Sequence, residues 1–146
     1  YGFVGPHGPS ASDVLVGKQN KQGSLPEIVH VHPHETVRDV ASIMRNYGVS
    51  QVVVVNAEPP LVMGEVLGSA NEEDLLRLAF ENPLVLNEPI GEHMGKVPPT
   101  IGTGESTDVA IARLENSDAL LVVDAGHPVG ILTRSDLLEF LAHRSR

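Results

Sequence analysis

An internal repeat constrains the fold of this 146-residue chain more than any other feature of its sequence. Each half contains apolar positions at the i, i+3, i+4, i+7 spacing of an amphipathic helix, namely Val37, Val40, Ala41 and Met44 and, seventy positions later, Thr107, Ala110, Ile111 and Leu114. Thr36 and Ser106 stand directly before these faces and are predicted N-caps. The sequence therefore indicates a tandem duplication of one small structural unit.

Short apolar runs bounded by turn residues predict buried strands at matching places in both halves. The predicted strands are Ile28–Val31, Val52–Val55 and Leu61–Val66 in the first half, and Thr100–Ile101, Ala119–Val123 and Val129–Leu132 in the second. A second helix then begins at Asp74-Leu75-Leu76 and at Asp136-Leu137-Leu138. The predicted order is strand, helix, strand, strand, helix, given twice.

Each half has about 55 residues and is too small to bury much core alone. We therefore expect an α/β chain, more narrowly α+β, in which two β-α-β-β-α repeats pack with pseudo-twofold symmetry. The predicted division is a linker at 1–11, a first domain at 12–81, a linker at 82–87 and a second domain at 88–146. Residues 1–24 are rich in Gly, Ser, Lys and Gln and predict a linker, with at most a helical turn at Ser12–Leu15. One more helical turn is predicted between Pro89 and Met94.

Composition narrows the function classes. The 10 basic against 19 acidic residues give a net charge of −9, which argues against nucleic acid or an anionic membrane as a partner. No apolar stretch has the roughly 18 residues of a membrane span. The absence of cysteine excludes disulfides, zinc–thiolate sites and thiol nucleophiles, and fits a cytoplasmic location. Because the chain opens at Tyr1 without a leader, we expect it to be a piece of a longer protein.

Two related phrases identify a family. Gly130–Leu138 has the form G-h-h-T-x-x-D-L-L, where h is hydrophobic. Gly64–Asp74 is a variant with four additional residues and with Asn71 three positions before Asp74. Together with the duplicated element order, these phrases resemble a tandem of CBS domains over roughly residues 12–146. The resemblance implies a regulatory module.

The resemblance extends to the C-terminal region of bacterial cystathionine β-synthases, on the segments Gly48–Gln51, Gly64–Ser69 and Tyr1–Phe3. It implies a parent lyase of cysteine biosynthesis that joins serine and homocysteine, with pyridoxal phosphate in an upstream catalytic domain absent from this chain. This chain itself is expected to be neither an enzyme nor a holder of a cofactor. Its only lysines are Lys18 and Lys21, in the linker-like residues 1–24, and Lys96, at the end of the segment 82–96 that connects the two halves, so no Schiff-base lysine can be named.

CBS pairs bind adenosyl ligands in clefts between their halves, and the resemblance carries this role to specific positions. An aspartate in the first turn of a helix can accept hydrogen bonds from both ribose hydroxyls. The residues implied for one cleft are Thr133, Asp136, Ile131, Val49, Ser50, Gln51 and Ile28, with Ile28 and Ile131 as apolar walls. Thr133 and Asp136 could instead serve only to cap the helix. The weaker cleft would use Asn71, Asp74, Asp118 and Ala119.

The ligand implied by a cystathionine β-synthase is S-adenosylmethionine. Polyphosphate nucleotides usually need several basic side chains, and Arg134 is the only one near the proposed cleft. S-adenosylmethionine is therefore favoured over ATP, and the resemblance places it ahead of AMP as well. Helix faces at Leu75, Leu76, Ala79, Phe80, Leu137, Leu138 and Leu141 are expected to form core or a homodimer interface. The alternative function is a ligand-free dimerisation module of the parent protein.

Two further patterns suggest other sites. Gly102–Thr107 looks like a phosphate cradle before a helix, but Glu105 would repel phosphate, so a turn with an N-cap is predicted. His30, His32 and His34 alternate and could share one strand face as metal ligands. Pro33 interrupts that strand and no carboxylate can be placed beside it with certainty, so exposed or edge histidines without a metal are expected.

Overall fold

The computed structural model describes residues 8–21 and 28–144. In these residues helices and strands follow one another along the chain. The described elements are α1 (Ala11–Lys21), β1 (His30–Val31), α2 (Val37–Tyr47), β2 (Gln51–Val55), β3 (Val66–Asn71), α3 (Glu72–Glu81), β4 (Thr100–Gly102), α4 (Thr107–Arg113), β5 (Ala119–Asp124), β6 (His127–Thr133) and α5 (Arg134–Arg144). The predicted β-α-β-β-α order is confirmed in both repeats, and the fold is α+β. The predicted resemblance at Tyr1–Phe3 lies outside the described residues.

The chain divides into two compact units. The central unit is Val29–Val97, and the terminal unit joins Tyr1–Ile28 to Pro98–Arg146. Each unit holds one three-stranded sheet, β1-β2-β3 in the central unit and β4-β5-β6 in the terminal unit. In both sheets the first two strands are parallel and the last two antiparallel, as a strand–helix–strand unit followed by a hairpin requires. The domain boundaries at 12–81 and 88–146 stay predictions.

Helix α1 shows that the interpretation of residues 1–24 as a linker with a single helical turn is wrong for the described residues 8–21. Ala11, Val14 and Leu15 are buried on one helix face and join the core of the terminal unit. Leu15 lies over Gly130 of β6, where an added Cβ would come within 2.5 Å of the Leu15 Cδ1 atom. The polar composition of the segment concealed this narrow apolar stripe, which packing on α5 and β6 stabilises.

The third strand of the central sheet begins later than predicted. The predicted strand at Leu61–Val66 is wrong, because Met63–Glu65 form a 3₁₀ turn in front of β3. The Val62 backbone N–H donates to Glu65 Oε1 at 2.9 Å and closes this turn. Burial alternates from Val66 onward, which is the period of a half-buried strand. In the terminal unit the predicted run Val129–Leu132 lies within β6.

The predicted helix ends are confirmed. Thr36 Oγ1 accepts the Asp39 backbone N–H at 3.1 Å, and Asp39 Oδ2 accepts the Thr36 backbone N–H at 3.0 Å, which forms a capping box. Ser106 caps α4 by accepting from Val109. Gly48 ends α2 with φ of 65°, a conformation that glycine adopts without a Cβ penalty. Among the described residues, none of the helices is both long and apolar enough to cross a membrane.

A backbone hydrogen bond at an equivalent position holds an additional segment in each unit. In the central unit the Ile90 N–H donates to the Glu35 carbonyl at 2.7 Å, and Ile90 begins a 3₁₀ turn within the predicted Pro89–Met94 turn. In the terminal unit the Ala11 N–H donates to the Glu105 carbonyl at 2.8 Å. Both donors are fully buried. Each unit thus includes a segment outside its β-α-β-β-α repeat, the turn at Ile90 in the central unit and the start of α1 in the terminal unit.

Candidate functional site

The junction of β6 and α5 positions the two principal predicted site residues. Thr133 ends β6, and Asp136 lies in the first turn of α5. The Asp136 N–H donates to Thr133 Oγ1 at 3.2 Å, and Asp136 Oδ2 accepts the Thr133 N–H at 2.9 Å. This reciprocal pair satisfies two backbone donors at the helix start. The capping role considered from the sequence is therefore confirmed.

Lys18 of α1 adds a cation to this junction. Its Nζ donates to Asp136 Oδ2 at 2.9 Å and to the Ile131 carbonyl at 2.8 Å. The side chains of Lys18 and Asp136 are only 14% and 17% exposed, so solvent screens the ion pair weakly. Both bonds to the carboxylate fall on Oδ2, and no described residue donates to Oδ1. One carboxylate oxygen is consequently still able to accept a hydroxyl proton.

The position of Lys18 corrects two statements made from the sequence. Lys18 does not lie in a linker, and Arg134 is not the cation beside Asp136. The Arg134 guanidinium instead donates to the Leu114 carbonyl at 2.8 Å and to Asp118 Oδ1 at 3.1 Å. The sequence contained a signal for Lys18, because it stands seven positions after Ala11 on one helical face.

The other residues predicted for this cleft divide between the units. Ile28 and Ile131 are both buried within the terminal unit. Val49, Ser50 and Gln51 precede or begin β2 in the central unit. There the Ser50 carbonyl accepts the Glu72 N–H at 2.9 Å, which connects the start of β2 with the start of α3.

The equivalent junction of the central unit, between β3 and α3, has a different set of hydrogen bonds. Asn71 Oδ1 accepts the Asp74 N–H at 2.8 Å, and Asn71 Nδ2 donates to Asp74 Oδ2 at 2.7 Å. Arg77 donates to Asp74 Oδ1 at 3.0 Å, so both carboxylate oxygens have partners. Asp74 is also 55% exposed. Of the two other residues predicted for the weaker cleft, Asp118 pairs with Arg134, and Ala119 is buried in the terminal unit.

The predicted turn at Gly102–Thr107 is confirmed, and the Glu105 carboxylate occupies its centre. Glu105 Oε2 accepts the Gly102 N–H at 2.7 Å, and Arg113 donates to both carboxylate oxygens at 3.1–3.2 Å. The Gly102 hydrogen bond is the largest effect on the pKa of Glu105 and holds it below its ordinary value. Burial opposes this shift, and the hydrogen bond and charge of Arg113 add to it. An internal carboxylate thus takes the backbone donor that a phosphate would use.

Glu105→Gln is expected to destabilise the protein at about pH 7 and to lose that effect in acid. Because the folded-state pKa is lowered, the stabilising contribution is present above the ordinary carboxyl pKa and disappears as the pH falls through the folded pKa. Urea unfolding of wild type and variant at about pH 7 and about pH 3 measures the difference. A difference that does not shrink at the lower pH would contradict this assignment.

Comparisons with known proteins agree with this architecture. The CBS domain model matches residues 24–81 and again residues 90–143, together more than half of the chain. Similar structures include the CBS-domain containing protein ATU1752 from Agrobacterium tumefaciens, with a TM-score of 0.72, 19% identity and coverage of 90% of this chain and 98% of that one.

CBSX2 from Arabidopsis thaliana is similar with a TM-score of 0.67 and 20% identity, over 95% of this chain and 98% of that one. CBSX2 in complex with AMP matches with a TM-score of 0.67 and 23% identity, over 95% and 100% of the two chains. At these identities the likeness concerns the fold alone. The two family-model matches and the duplicated sheets show that this chain belongs to the CBS domain family and carries a tandem pair of the domain.

Proposed function

We propose that this CBS pair is a non-catalytic regulatory module that binds an adenosyl ligand, with Thr133 and Asp136 contacting the ribose. The observation that carries the proposal is the state of Asp136, a shielded carboxylate whose Oδ1 has no described donor. A ribose hydroxyl would donate to this oxygen in a charge-assisted hydrogen bond. The AMP complex of CBSX2, which has the same fold, supports the ligand class.

Ile131 extends the proposed contact surface with apolar area. It lies two residues before Thr133 on the same strand and is 7% exposed. Alternation along a strand directs side chains two residues apart to the same face. An adenine ring packed near Ile131 would therefore lie on the strand face that also presents Thr133. Ile28, Val49, Ser50 and Gln51 remain proposed contacts on the strength of the sequence resemblance.

The proposed ligand is S-adenosylmethionine, which the resemblance implies. In that proposal an upstream pyridoxal-phosphate cystathionine β-synthase domain in the cytoplasm receives the signal. Lys18 weakens the charge argument against AMP and ATP, because its ammonium lies 2.9 Å from Asp136. An ammonium near the ribose can also attract a phosphate. AMP and ATP therefore belong in the same test.

A second candidate function rests on exposed apolar side chains. Leu76 and Leu138 occupy the last position of the D-L-L phrase in the two repeats, and each is 70% exposed. Phe80, one helical turn after Leu76 on α3, is 87% exposed. Contiguous exposed apolar residues mark association surfaces. Because both repeats expose the same position, the occupant proposed is a second copy of this chain, in a homodimer that needs no ligand.

Ligand binding is tested by calorimetry and thermal shift with S-adenosylmethionine, AMP and ATP. We expect at least one to bind and to raise the midpoint by about 5–10 °C at a hundredfold excess over its dissociation constant. Asp136→Asn should weaken binding at least about tenfold, by loss of a charge-assisted bond. Asp74→Asn is the matched variant in the other repeat and should leave this binding unchanged.

The outcomes separate the two functions. Unchanged affinity in Asp136→Asn would overturn the ribose contact. Binding of none of the three ligands would overturn the regulatory proposal. A dimer in light scattering that Phe80→Glu converts to a monomer would then establish the dimerisation module. Circular dichroism of each variant excludes loss of folding as the cause.

A further inference from the structure

Two histidines and a glutamate converge at one edge of the central sheet. His30 begins β1, His32 directly follows the buried last residue of this strand, Val31, and the two imidazole rings meet edge to face. The His30 and His32 side chains are 21% and 26% exposed. Both rings are thus partly shielded from water and held close together, with centroids 5.4 Å apart.

Glu58 reaches this pair from the neighbouring strand. Strands β1 and β2 are parallel, so their carboxyl ends lie at the same edge, and Glu58 follows β2 by three residues. Its Oε2 lies 2.6 Å from His32 Nε2, and its Oε1 lies 3.5 Å from His30 Nε2. This glutamate is the carboxylate that could not be placed from the sequence.

The three side chains offer two imidazole nitrogens and one carboxylate oxygen within 4.8 Å of one another. Zinc bonds of about 2.0–2.2 Å in tetrahedral geometry hold such donor atoms roughly 3.3 Å apart. The 3.5 Å separation already meets that spacing. The contact between Glu58 and His32 must lengthen by a fraction of an ångström, which an exposed glutamate side chain can accommodate.

Glu35 orients the central ligand. Its Oε2 accepts the His32 backbone N–H at 2.7 Å and lies 3.4 Å from His32 Nδ1. Histidines that bind a metal through one ring nitrogen commonly direct the other toward a carboxylate, which selects the tautomer and the ring orientation. Here Nε2 faces Glu58 while Nδ1 faces Glu35, so the ring already has both kinds of neighbour.

We infer that His30, His32 and Glu58 are the ligands of a Zn²⁺ site, and that Glu35 is a positioning residue for His32. The two carboxylates compensate the charge of the ion, and the two imidazoles favour Zn²⁺ over the harder Mg²⁺ and Ca²⁺. Three protein ligands leave a fourth position for water. His34 is exposed and stacks on His32 with its ring 5.9 Å away, outside the ligand set.

A second cluster, Glu88, Glu92 and His93, provides the internal comparison. It contains one imidazole and two carboxylates, and His93 Nε2 is hydrogen-bonded to Glu88 at 2.7 Å. With a single nitrogen donor, this set is less suited to Zn²⁺. His93→Ala therefore tests whether the binding arises at the wrong cluster.

The experiment is a titration of the full chain with Zn²⁺ by calorimetry, and with Co²⁺ monitored by visible absorption. We expect one saturable site and a Co²⁺ spectrum of low coordination number. His32→Ala and Glu58→Gln should each weaken binding at least about tenfold. Because the Glu58 side chain is 73% exposed, we expect Glu58→Gln to fold like the wild-type protein. Glu35→Gln can keep the backbone bond to His32 and should weaken binding about tenfold while still saturating.

His143→Ala, on exposed α5 surface, is the matched control and should bind like wild type. Three results would each overturn the inference. These are no saturable binding of Zn²⁺, wild-type affinity in both His32→Ala and Glu58→Gln, or loss of binding in His93→Ala alone.

Discussion

Gly68→Ala is expected to lower the free energy of unfolding by about 2–3 kcal/mol. An added Cβ on β3 would lie 2.5 Å from the Gly95 carbonyl oxygen and 2.9 Å from Met94 Sδ. Gly95 cannot withdraw cheaply, because Ser69 and Gly95 exchange backbone hydrogen bonds at 2.7 and 3.1 Å. The substitution must therefore either displace this segment or distort the strand.

Urea denaturation measures this loss, and Gly64→Ala is the control. A Cβ on Gly64 would meet nothing within 4 Å, so that variant should stay within about 0.5 kcal/mol of wild type. If Gly68→Ala were as stable as Gly64→Ala, the contact between β3 and the Met94–Gly95 segment would not exist in solution.

Lys18→Met is expected to cost about 1.5–3 kcal/mol, the range for a hydrogen bond to a charged group. Methionine keeps the apolar stem but removes the ammonium that bonds Asp136 and the Ile131 carbonyl. The carboxylate, which is 17% exposed, then keeps only the Thr133 N–H as a described donor. An uncompensated, partly buried charge is destabilising.

A double-mutant cycle isolates the pair. Asp136→Asn in the Lys18→Met background should cost less than it does in wild type, since its charge partner is already absent. Lys96→Met, at an exposed position, controls for loss of a lysine. Additive losses at Lys18 and Asp136 would show that the ion pair contributes nothing to stability.

Local features were predictable because their physical causes are local. The caps at Thr36 and Ser106 and the glycine at Gly48 follow from backbone groups that a helix end leaves unsatisfied. The strands at Val52–Val55 and Ala119–Val123 follow from short apolar runs. The predicted strand at Leu61–Val66 was wrong because a hydrogen bond between Val62 and Glu65 closes a turn that hydrophobicity does not reveal.

The repeat, the element order and the cap pair Thr133–Asp136 were determined by the sequence alone, since each depends on neighbours within a few residues or on a copied pattern. Tertiary structure decided which charges meet. Lys18 and Asp136 are 118 positions apart, and Glu58 reaches His32 only because two parallel strands end at one edge. Such contacts depend on how the whole unit folds, because the number of residues between two side chains does not determine how far apart they lie in space.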